Sequence, residues 1–560
     1  MKALNSKGVI IMKNYYDVVI IGAGPTGLIA ASLLGEYNIQ TLLVERNAST
    51  SEIPKAILVD DETLRVCQNM GLEKVMERVI SPGGGAEYFA DSNSTTPFAQ
   101  VKPKIGRFGY YPRNKIDQPE FEKTLYENVK KYSSVDIVFN HELISFNEQR
   151  DKTSINLHNS ETNESLMVSS RFLLGCDGGR STVRKLLNIK LMDISNKADG
   201  SSFEEPWIIL DLKNDDVKTR NTAFYCNPPR PSMHAATSKG MRRYEFMLLP
   251  GESEEEMLSD DVLEQLVAPF TNYKKENVVK KAVVRFNALI AEKFRFGRTI
   301  LLGDAAHLTP PFAGQGLNSG VRDSYNLVWK LKLILDRISD ESILESYEEE
   351  RRDHVAAMIK LSVNMGNFIL TTSKKRRMIR NTAFSVMSVV PPLKRYVTEM
   401  RFKPKPICTK GLFVDIETKE KDSILGAAIP QPNVLFSDIT YRLMDYALNN
   451  NFTLLKVGNP DSIHFPEFNK ELFTKLGIKE VTVLPSSYLP HEAYGETVIT
   501  DTEGVFNAYQ NKFILLRPDR YVAGIFTSQQ WNEFFGKLEN TLQMKERMVI
   551  KESSLQHNIS

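Results

Sequence analysis

Gly22, Gly24, Pro25 and Gly27 stand between the β-branched run VVII and an Ala/Leu-rich run, and Glu45 closes the next apolar run 18 residues after the last glycine. Glycines at this spacing leave backbone N–H groups open at a helix start, where a phosphate is stabilised. An acid at the end of the following strand can accept hydrogen bonds from a ribose. The strand, GAGPTG, helix, strand order supplies both contexts that a bare glycine pattern lacks, so residues 16–45 are expected to bind a dinucleotide. Several dinucleotides put a ribose on such an acid, so this motif alone does not choose among them.

Two later stretches join glycine turns to acids. LLGCDGGRSTVR (173–184) leads a buried strand into a turn whose plain reading is a helix start capped by Ser181 or Thr182. LLGDAAHLTPPFAGQGLNSGVRD (301–323) joins a buried strand, two prolines and a glycine-rich segment to a long helix from about Gln315 to Leu335. The N-terminus of that helix offers unpaired N–H groups and partial positive charge, worth roughly 0.3–2 kcal/mol to a neighbouring anion. Glycines there let a ligand approach the backbone where side chains would block it.

These pieces need several layers to position them. A chain of 560 residues exceeds what one core supports, and 42% hydrophobic with 25% charged residues is ordinary globular composition. Lys+Arg 71 against Asp+Glu 69 leaves a formal charge of +2, which supplies no electrostatic footprint for nucleic acid or an anionic membrane. Cys67, Cys176, Cys226 and Cys408 form no CxxC and read as reduced thiols in a cytoplasm, with no metal centre expected. The apolar run 18–35 is long enough to span a bilayer, but its glycines divide it into a strand and a helix. Residues 1–14 read as a lead-in rather than a secretory signal.

The expected fold class is α/β, in four segments. Residues 15–190 form the first part of a Rossmann-like domain, with helices over 60–72 and 117–132 and a small β-meander over 143–172. Residues 191–290 form an inserted β-rich domain. Residues 291–405 return to the first domain and add connecting helices near 386–406. Residues 411–545, in βαβ…ββα order, form a separate small α/β domain.

Taken together, VVIIGAGPTG, LLGCDGGRSTVR and LLGDAAHLTPPFAGQGLNSGVRD resemble the three fingerprints of the single-component, group A FAD-dependent aromatic hydroxylases. IPKAILVDDETLRVCQNMGL, RPSMHAATSKGMRRYEFMLLPGE, VPPLKRYVTEMRFKP and LLRPDRYVAG extend the likeness to the 3-(3-hydroxyphenyl)propionate hydroxylase branch, which carries a thioredoxin-like C-terminal domain. With no CxxC after Gly411, such a domain would be structural rather than a dithiol carrier.

The resemblance implies FAD as cofactor and NAD(P)H as a co-substrate that visits without a nucleotide domain of its own. It implies reaction with O₂ and transfer of oxygen from a flavin C4a-hydroperoxide to a phenolic or polycyclic aromatic ring. It places FAD on Gly22, Gly24, Pro25, Gly27 and Glu45, with Arg46 and Gln118 at positions that touch phosphate, ribityl or adenine. Asp177 and Gly178 serve FAD and NAD(P)H placement, with Arg184 supporting their turn. Asp304 holds the ribityl chain, Pro310 and Pro311 line the ring, and Gly314, Gln315, Gly316, Leu317 and Asn318 face the pyrimidine edge.

For the substrate, the β-rich insert offers Tyr225, His234, Arg242 and Tyr244, with Phe312 beside them. His234, the insert's only histidine, is the candidate proton acceptor, and Arg242 and Tyr225 are the other catalytic candidates. The small aromatic substrate, no stable membrane insertion and a monomer or homodimer complete the expectation. The alternatives are a monooxygenase that inactivates or tailors a tetracycline-, rifamycin- or anthracycline-like compound, and a catalytically decayed flavin-binding sequestration protein. A flavin-dependent halogenase would carry WxWxIP, whereas Trp207, Trp329 and Trp531 are isolated.

Overall fold

The computed structural model describes residues 13–545 apart from 196–201, 227, 238–239, 372, 417–422, 460–469 and 493–494. The β-branched run Tyr15–Ile21 is a central strand, parallel to Ser165–Gly175 on one side and Thr41–Val44 on the other. Val135–Val138 and Thr299–Leu301 extend the sheet in parallel on its two sides, and Arg295–Phe296 adds an antiparallel edge beyond the latter. Thr41–Val44, Val135–Val138 and Thr299–Leu301 are buried at every residue, as a sheet covered on both faces requires. Thr299–Leu301 follows the whole inserted segment, so this layer is discontinuous in sequence.

Local signals set the flanking elements. Asp61–Asn69 is a helix because Asp60 accepts the Thr63 N–H at 3.1 Å, and Gly71, at φ +68°, turns the chain away after it. Gln118–Val129 starts at Asp117 with Pro119 in its first turn. His141–Glu148, Thr153–Asn159 and Ser165–Gly175 are the expected meander.

A second sheet has seven strands in the order Val278–Asn287, Glu204–Leu212, Arg242–Met247, Ser232–Ala236, Thr222–Tyr225, Ala86–Phe89 and Ala99–Val101. Its last two strands come from chain that precedes residue 191. Alternation divides it into two faces. Ile208, Leu210, Tyr244 and Phe246 pack outward with Leu263 and Val267 of the Asp260–Val267 helix. Trp207, Phe224, Met233 and Ala235 join the main core on the inner face.

Beyond Gly411 a seven-stranded sheet carries the Lys470–Leu476 and Trp531–Thr541 helices. Thr453–Val457 and Lys479–Pro485 are parallel across the first of these helices, and Lys512–Leu516 pairs antiparallel with Val522–Phe526 before the second. Arg517 docks this unit on the Glu345–Ile369 helix through Glu350.

Lys374–Val389 and Pro391–Thr398 form a helix pair that packs through Phe384 and Arg380 on Phe98 and Phe368, leaving Met378 and Ile379 exposed. Among the described residues no helix is long and apolar enough to cross a membrane.

Candidate functional site

The first strand ends at Gly22, whose φ is +105°, and the Pro25–Glu36 helix begins with Gly24 as an N-cap that offers no side chain. Its first-turn N–H groups are left for a ligand. A Cβ on Gly27 would stand 2.0 Å from the Gly22 carbonyl oxygen, so the turn closes this tightly only because Gly27 has none. Glu45 reaches the same turn, its Oε2 accepting the Ala23 N–H at 2.8 Å and its Oε1 the Asn47 N–H at 3.0 Å. Arg46 is exposed beyond it.

The second edge is the turn after Leu302. Asp323 accepts from the Gly303 N–H at 3.0 Å, His307 Nε2 at 2.7 Å and Arg351 Nε at 2.8 Å. Burial opposes its charge, but His307 and Arg351 hold the carboxyl well below the usual range. Asp304, next to that turn, is surrounded by protein yet keeps exposed side-chain surface and has no hydrogen-bond partner among the described residues. Such a carboxyl opens into an internal crevice. Burial raises it above the ordinary carboxylate value, with His307 and Lys55 opposing.

Gly314, at φ +63°, leads into the Gly316–Leu335 helix, whose N-cap Gln315 makes no capping bond. The Gln315 side chain turns inward, to the Ala313 carbonyl at 3.3 Å and Arg322 at 3.4 Å. A Cβ on Gly316 would have only Asp304 Oδ1 near it, at 4.0 Å. The two uncapped helix starts converge because their helices cross closely, a Cβ on Gly320 falling 2.2 Å from Thr26 Oγ1. Asp304 therefore lies in a crevice that two positive helix ends face.

The DGG turn borders it. Asp177 Oδ2 accepts the Thr182 and Val183 N–H groups at 2.6 and 3.1 Å, while its Oδ1 is buried with no partner. Gly178 follows at φ +78°. Ser181 caps the next helix by accepting the Arg184 N–H, and Arg184 ties the turn to the Ala305 carbonyl at 2.9 Å and that of Gly179 at 2.8 Å.

Two predicted residues reach the crevice indirectly. Gln118 Oε1 accepts the Lys55 N–H at 2.9 Å and the Ala56 N–H, fixing residues 54–58 as a wall. Asn318 donates to the Gly314 carbonyl at 2.7 Å and accepts from the Asp60 N–H and the Thr63 hydroxyl. Pro310 is buried and Pro311 opens a 3₁₀ turn beside Gly314. Leu317 is half-buried in the first helical turn.

The substrate-side candidates share one face of the large sheet. His234, Tyr244, Tyr225 and Arg242 lie on its outer face, the one on which the Asp260–Val267 helix packs. His234 and Tyr244 are register partners, and Phe270, from beyond the outer helix, packs 5.6 Å from His234 and 4.7 Å from Tyr225. His234 is held by Arg242 Nη1 at 3.0 Å and the Tyr225 hydroxyl at 3.2 Å, and Arg242 is paired with Asp215. A side chain two steps along a strand stays on one face, and the neighbouring residues Met233, Ala235, Arg243 and Glu245 hold the inner one.

Inner-face contacts lead to the crevice. Arg243, paired with Asp211, donates to the Pro54 and Lys55 carbonyls at 2.7 Å each, and Trp207 packs 5.7 Å from Phe312. Glu245 lies between these contacts, buried and raised to about 7 by burial and Asp211, with Arg243 and Lys280 opposing. Lys55, Leu58, Arg243 and Glu245 lie in stretches that carry the family likeness but receive no site role from it, and Trp207 stands only as an isolated tryptophan. Strand alternation would have separated Glu245 from His234, but not said which faced inward.

Burial, then Arg242, push His234 down to about 4 from 6.5, with Asp215 opposing. The folded chain refuses a proton that the unfolded chain accepts. This contribution to stability is therefore full above pH 6.5 and is lost as pH falls through about 4, on the order of 3 kcal/mol in all. Denaturant unfolding across that range should show this slope, and His234→Asn should flatten it while flavin content stays constant.

Residues 15–362 match the FAD binding domain family and residues 426–541 the HcaD C-terminal domain. The chain is 32% identical over 535 residues, 94% of each chain, to the 3-(3-hydroxy-phenyl)propionate/3-hydroxycinnamic acid hydroxylase of Escherichia coli strain 55989. The chain belongs to the FAD-dependent aromatic hydroxylases. Two solved structures share its fold. The flavin-dependent monooxygenase PieE, in complex with FAD and substrate, superposes with TM-score 0.75 at 19% identity, covering 94% of this chain and 99% of that one. OxyS anhydrotetracycline hydroxylase from Streptomyces rimosus has TM-score 0.72 at 21% identity, covering 94% and 99%.

This hydroxylase is thus a flavoprotein monooxygenase with FAD as cofactor and NAD(P)H as co-substrate. Its crevice fits FAD: two uncapped helix starts suit the phosphates and an electron-rich ring edge, and the open Asp304 carboxyl suits polyol hydroxyls. The buried, unpartnered Asp177 Oδ1 is a further acceptor.

Proposed function

We propose that this enzyme hydroxylates a small phenolic compound seated between the flavin crevice and the inner face of the seven-stranded sheet, with O₂ as oxygen source. The observation that carries the reading is the partnerless Asp304 carboxyl at the uncapped start of the Gly316–Leu335 helix, beneath an inner face lined by Trp207, Glu245 and Phe312. The phenolic class follows the named activity of the 32% identical relative.

In this assignment the Gly22, Gly24, Pro25 and Gly27 turn holds the pyrophosphate and Glu45 the adenosine ribose. Asp304 takes the ribityl hydroxyls, and backbone from Gly314 to Asn318 meets the pyrimidine edge. Arg46, Gln118, Asp177, Gly178 and Pro311 border the cofactor. Bound FAD supplies hydride acceptance from NAD(P)H and delivery of one oxygen atom to the ring. Trp207, Phe286 and Phe312 exclude water from that space.

Glu245, rather than His234, is positioned to take the phenolic proton. Its carboxylate is the active form, so hydroxylation should rise with pH through about 7. In Glu245→Gln the rate should fall by about 10²–10⁴-fold and lose that rising limb; an unchanged pH–rate profile would remove Glu245 from this role. Four buried, unpaired cysteines favour a cytoplasmic setting.

The test is incubation of the flavin-loaded enzyme with NADH or NADPH and a panel of phenols, naphthoquinones and tetracycline-like compounds. A phenol should accelerate nicotinamide oxidation and gain one oxygen by mass. Acceleration only by a polycyclic compound would shift the substrate to the tailoring class. No acceleration by any compound would favour a sequestration role.

A further inference from the structure

We propose that Lys115 and Arg113 form a subsite for a carboxylate carried by the aromatic substrate, at the edge of the flavin crevice. The proposal rests on the hydroxylase reading above and names the substrate's charge. Asn114–Ile116 is the middle strand of a three-stranded antiparallel sheet, between Leu58–Val59 and Ile80–Pro82. Lys115 is in register with Leu58 and Ser81, so the three side chains share one face, while Val59 and Ile116 point into the main core. Leu58 Cδ1 lies 3.1 Å from where a Cβ on Gly314 would stand. Directly paired residues have Cβ atoms about 4.5–5.5 Å apart. Lys115 is therefore one side chain removed from the segment that opens the crevice.

Both cations gather at Gly84. The Lys115 stem passes over it, Cε lying 2.9 Å from the position of a Cβ there. Arg113 donates from Nε to the Gly84 carbonyl at 3.2 Å and from Nη2 to the Thr222 hydroxyl at 3.3 Å. Thr222 is in register with Ala86 and shares the inner face with Phe224. The pair thus stands at the edge of the large sheet, Arg113 toward its inner face and Lys115 within electrostatic reach of Arg242 and His234.

What distinguishes this place is missing countercharge. Lys115 is 4% exposed and its Nζ has no hydrogen-bond partner; Arg113 is 6% exposed and meets no carboxylate among the described residues. Several other buried cations are matched, Arg243 by Asp211, Arg322 by Glu62, Lys330 by Glu350 and Arg351 by Asp323, while Arg184 and Arg380 spend their donors on carbonyl and amide oxygens. An isolated buried ammonium is unfavourable, and burial together with Arg242, Arg113 and Arg220 pushes Lys115 down to about 8. An incoming carboxylate would stabilise the ammonium, supply the acceptor that Lys115 lacks, and give Arg113 a countercharge. The relative's substrates, by name, are phenols that carry a propionate or cinnamate group. A ring held at one end by this pair would lie across Gly314 and the inner face.

The test uses the flavin-loaded enzyme and two matched pairs: 3-(3-hydroxyphenyl)propionate with its primary amide, and 3-hydroxybenzoate with 3-hydroxybenzamide. Binding is read from the perturbed flavin absorbance, turnover from nicotinamide oxidation. Wild type should prefer the carboxylate of at least one pair by about tenfold or more. Lys115→Met should keep its flavin, lose about 10- to 100-fold in affinity for that carboxylate, and change the amide by less than about twofold. Lys115→Arg should retain the preference. No carboxylate preference in wild type, an equal loss for acid and amide, or loss of flavin without a change in preference would each overturn the proposal. Because binding is read without turnover, the two readings fail separately. A carboxylate preference with no oxygenated product keeps the subsite and removes the hydroxylase, and equal oxygenation of acids and amides does the reverse.

Discussion

Asp304→Ala is expected to purify with little flavin, its affinity for FAD reduced by about 10- to 100-fold, equivalent to about 1.5–3 kcal/mol. The size follows from the carboxyl's situation. It is enclosed, it spends nothing on the protein, and it stands next to Gly316 at an uncapped helix start. A ligand hydroxyl that bonds it gains a charge-assisted partner at a site already shaped, with no protein bond broken. Alanine removes that bond without removing any internal contact, so folding should be unaffected. Asp304→Asn, which keeps one acceptor oxygen, should fall between. The ratio of visible flavin absorbance to protein absorbance, followed by FAD titration of the apoprotein, measures the effect. Equal flavin content in Asp304→Ala and wild type would show that the crevice does not hold the ribityl chain there.

Arg517→Met should destabilise the folded protein by about 3–5 kcal/mol, the range for removing one member of a buried ionic cluster. Arg517 is about 1% exposed and bonds Glu350 at 2.7 and 2.9 Å and Asp519 at 2.5 and 2.9 Å. Glu350 also receives Asn326 at 2.6 Å, Lys330 at 3.0 Å and the Leu412 N–H at 2.8 Å. Burial opposes its charge, but Arg517 and Lys330 hold its carboxyl well below the ordinary value. With Arg517 gone, Glu350 and Asp519 share the Asn326 amide, and Lys330 is the cation that still bonds Glu350.

The loss should also reach the cofactor. Asn318, Arg322, Asn326 and Lys330 recur every fourth residue on the Gly316–Leu335 helix, one row of side chains from its uncapped start, the proposed flavin site, to the C-terminal unit. Denaturant unfolding followed by tryptophan fluorescence suits the measurement, since the Arg517 guanidinium lies 5.2 Å from the Trp329 ring. Glu350→Gln in the same chain should recover part of the loss by removing an uncompensated charge. A variant within about 1 kcal/mol of wild type would mean that the docking is carried elsewhere.

The parts of the site that were legible in sequence are those whose chemistry is local. Gly22 to Glu45 lies within one strand, turn, helix and strand, so glycine spacing and a terminal acid describe the whole cradle. Asp177 with Ser181, and Asp304 with Gly314 to Asn318, are turn-and-cap units of the same kind. The side chains of two matched residues also hold the surrounding chain: Gln118 accepts the Lys55 N–H, and Asn318 bonds Asp60, Thr63 and Gly314.

His234 marks the limit. Alternation along Ser232–Ala236 and Arg242–Met247 sorts the side chains into two sets, but both sets are mixed in polarity and both are buried. Only the docking of the Asp260–Val267 helix on one face, and of Phe312 and residues 54–55 on the other, separates the two sets. Lys115 is the same case, since a lysine in the triplet NKI reads as solvent-exposed until Gly84 and the neighbouring strands close over it.

The amino-acid sequence by itself determined the three turns that cradle a dinucleotide, the helices that start at them, and the family to which those turns belong, because each depends on residues within one or two helical turns of each other. Tertiary packing alone decided how each face of the large sheet is covered, that Lys115 and Arg113 meet at Gly84 without an acid, and that Arg517 ties the last unit to the Glu345–Ile369 helix. Those facts depend on which distant surfaces exclude water from one another, and spacing along the chain carries no measure of that.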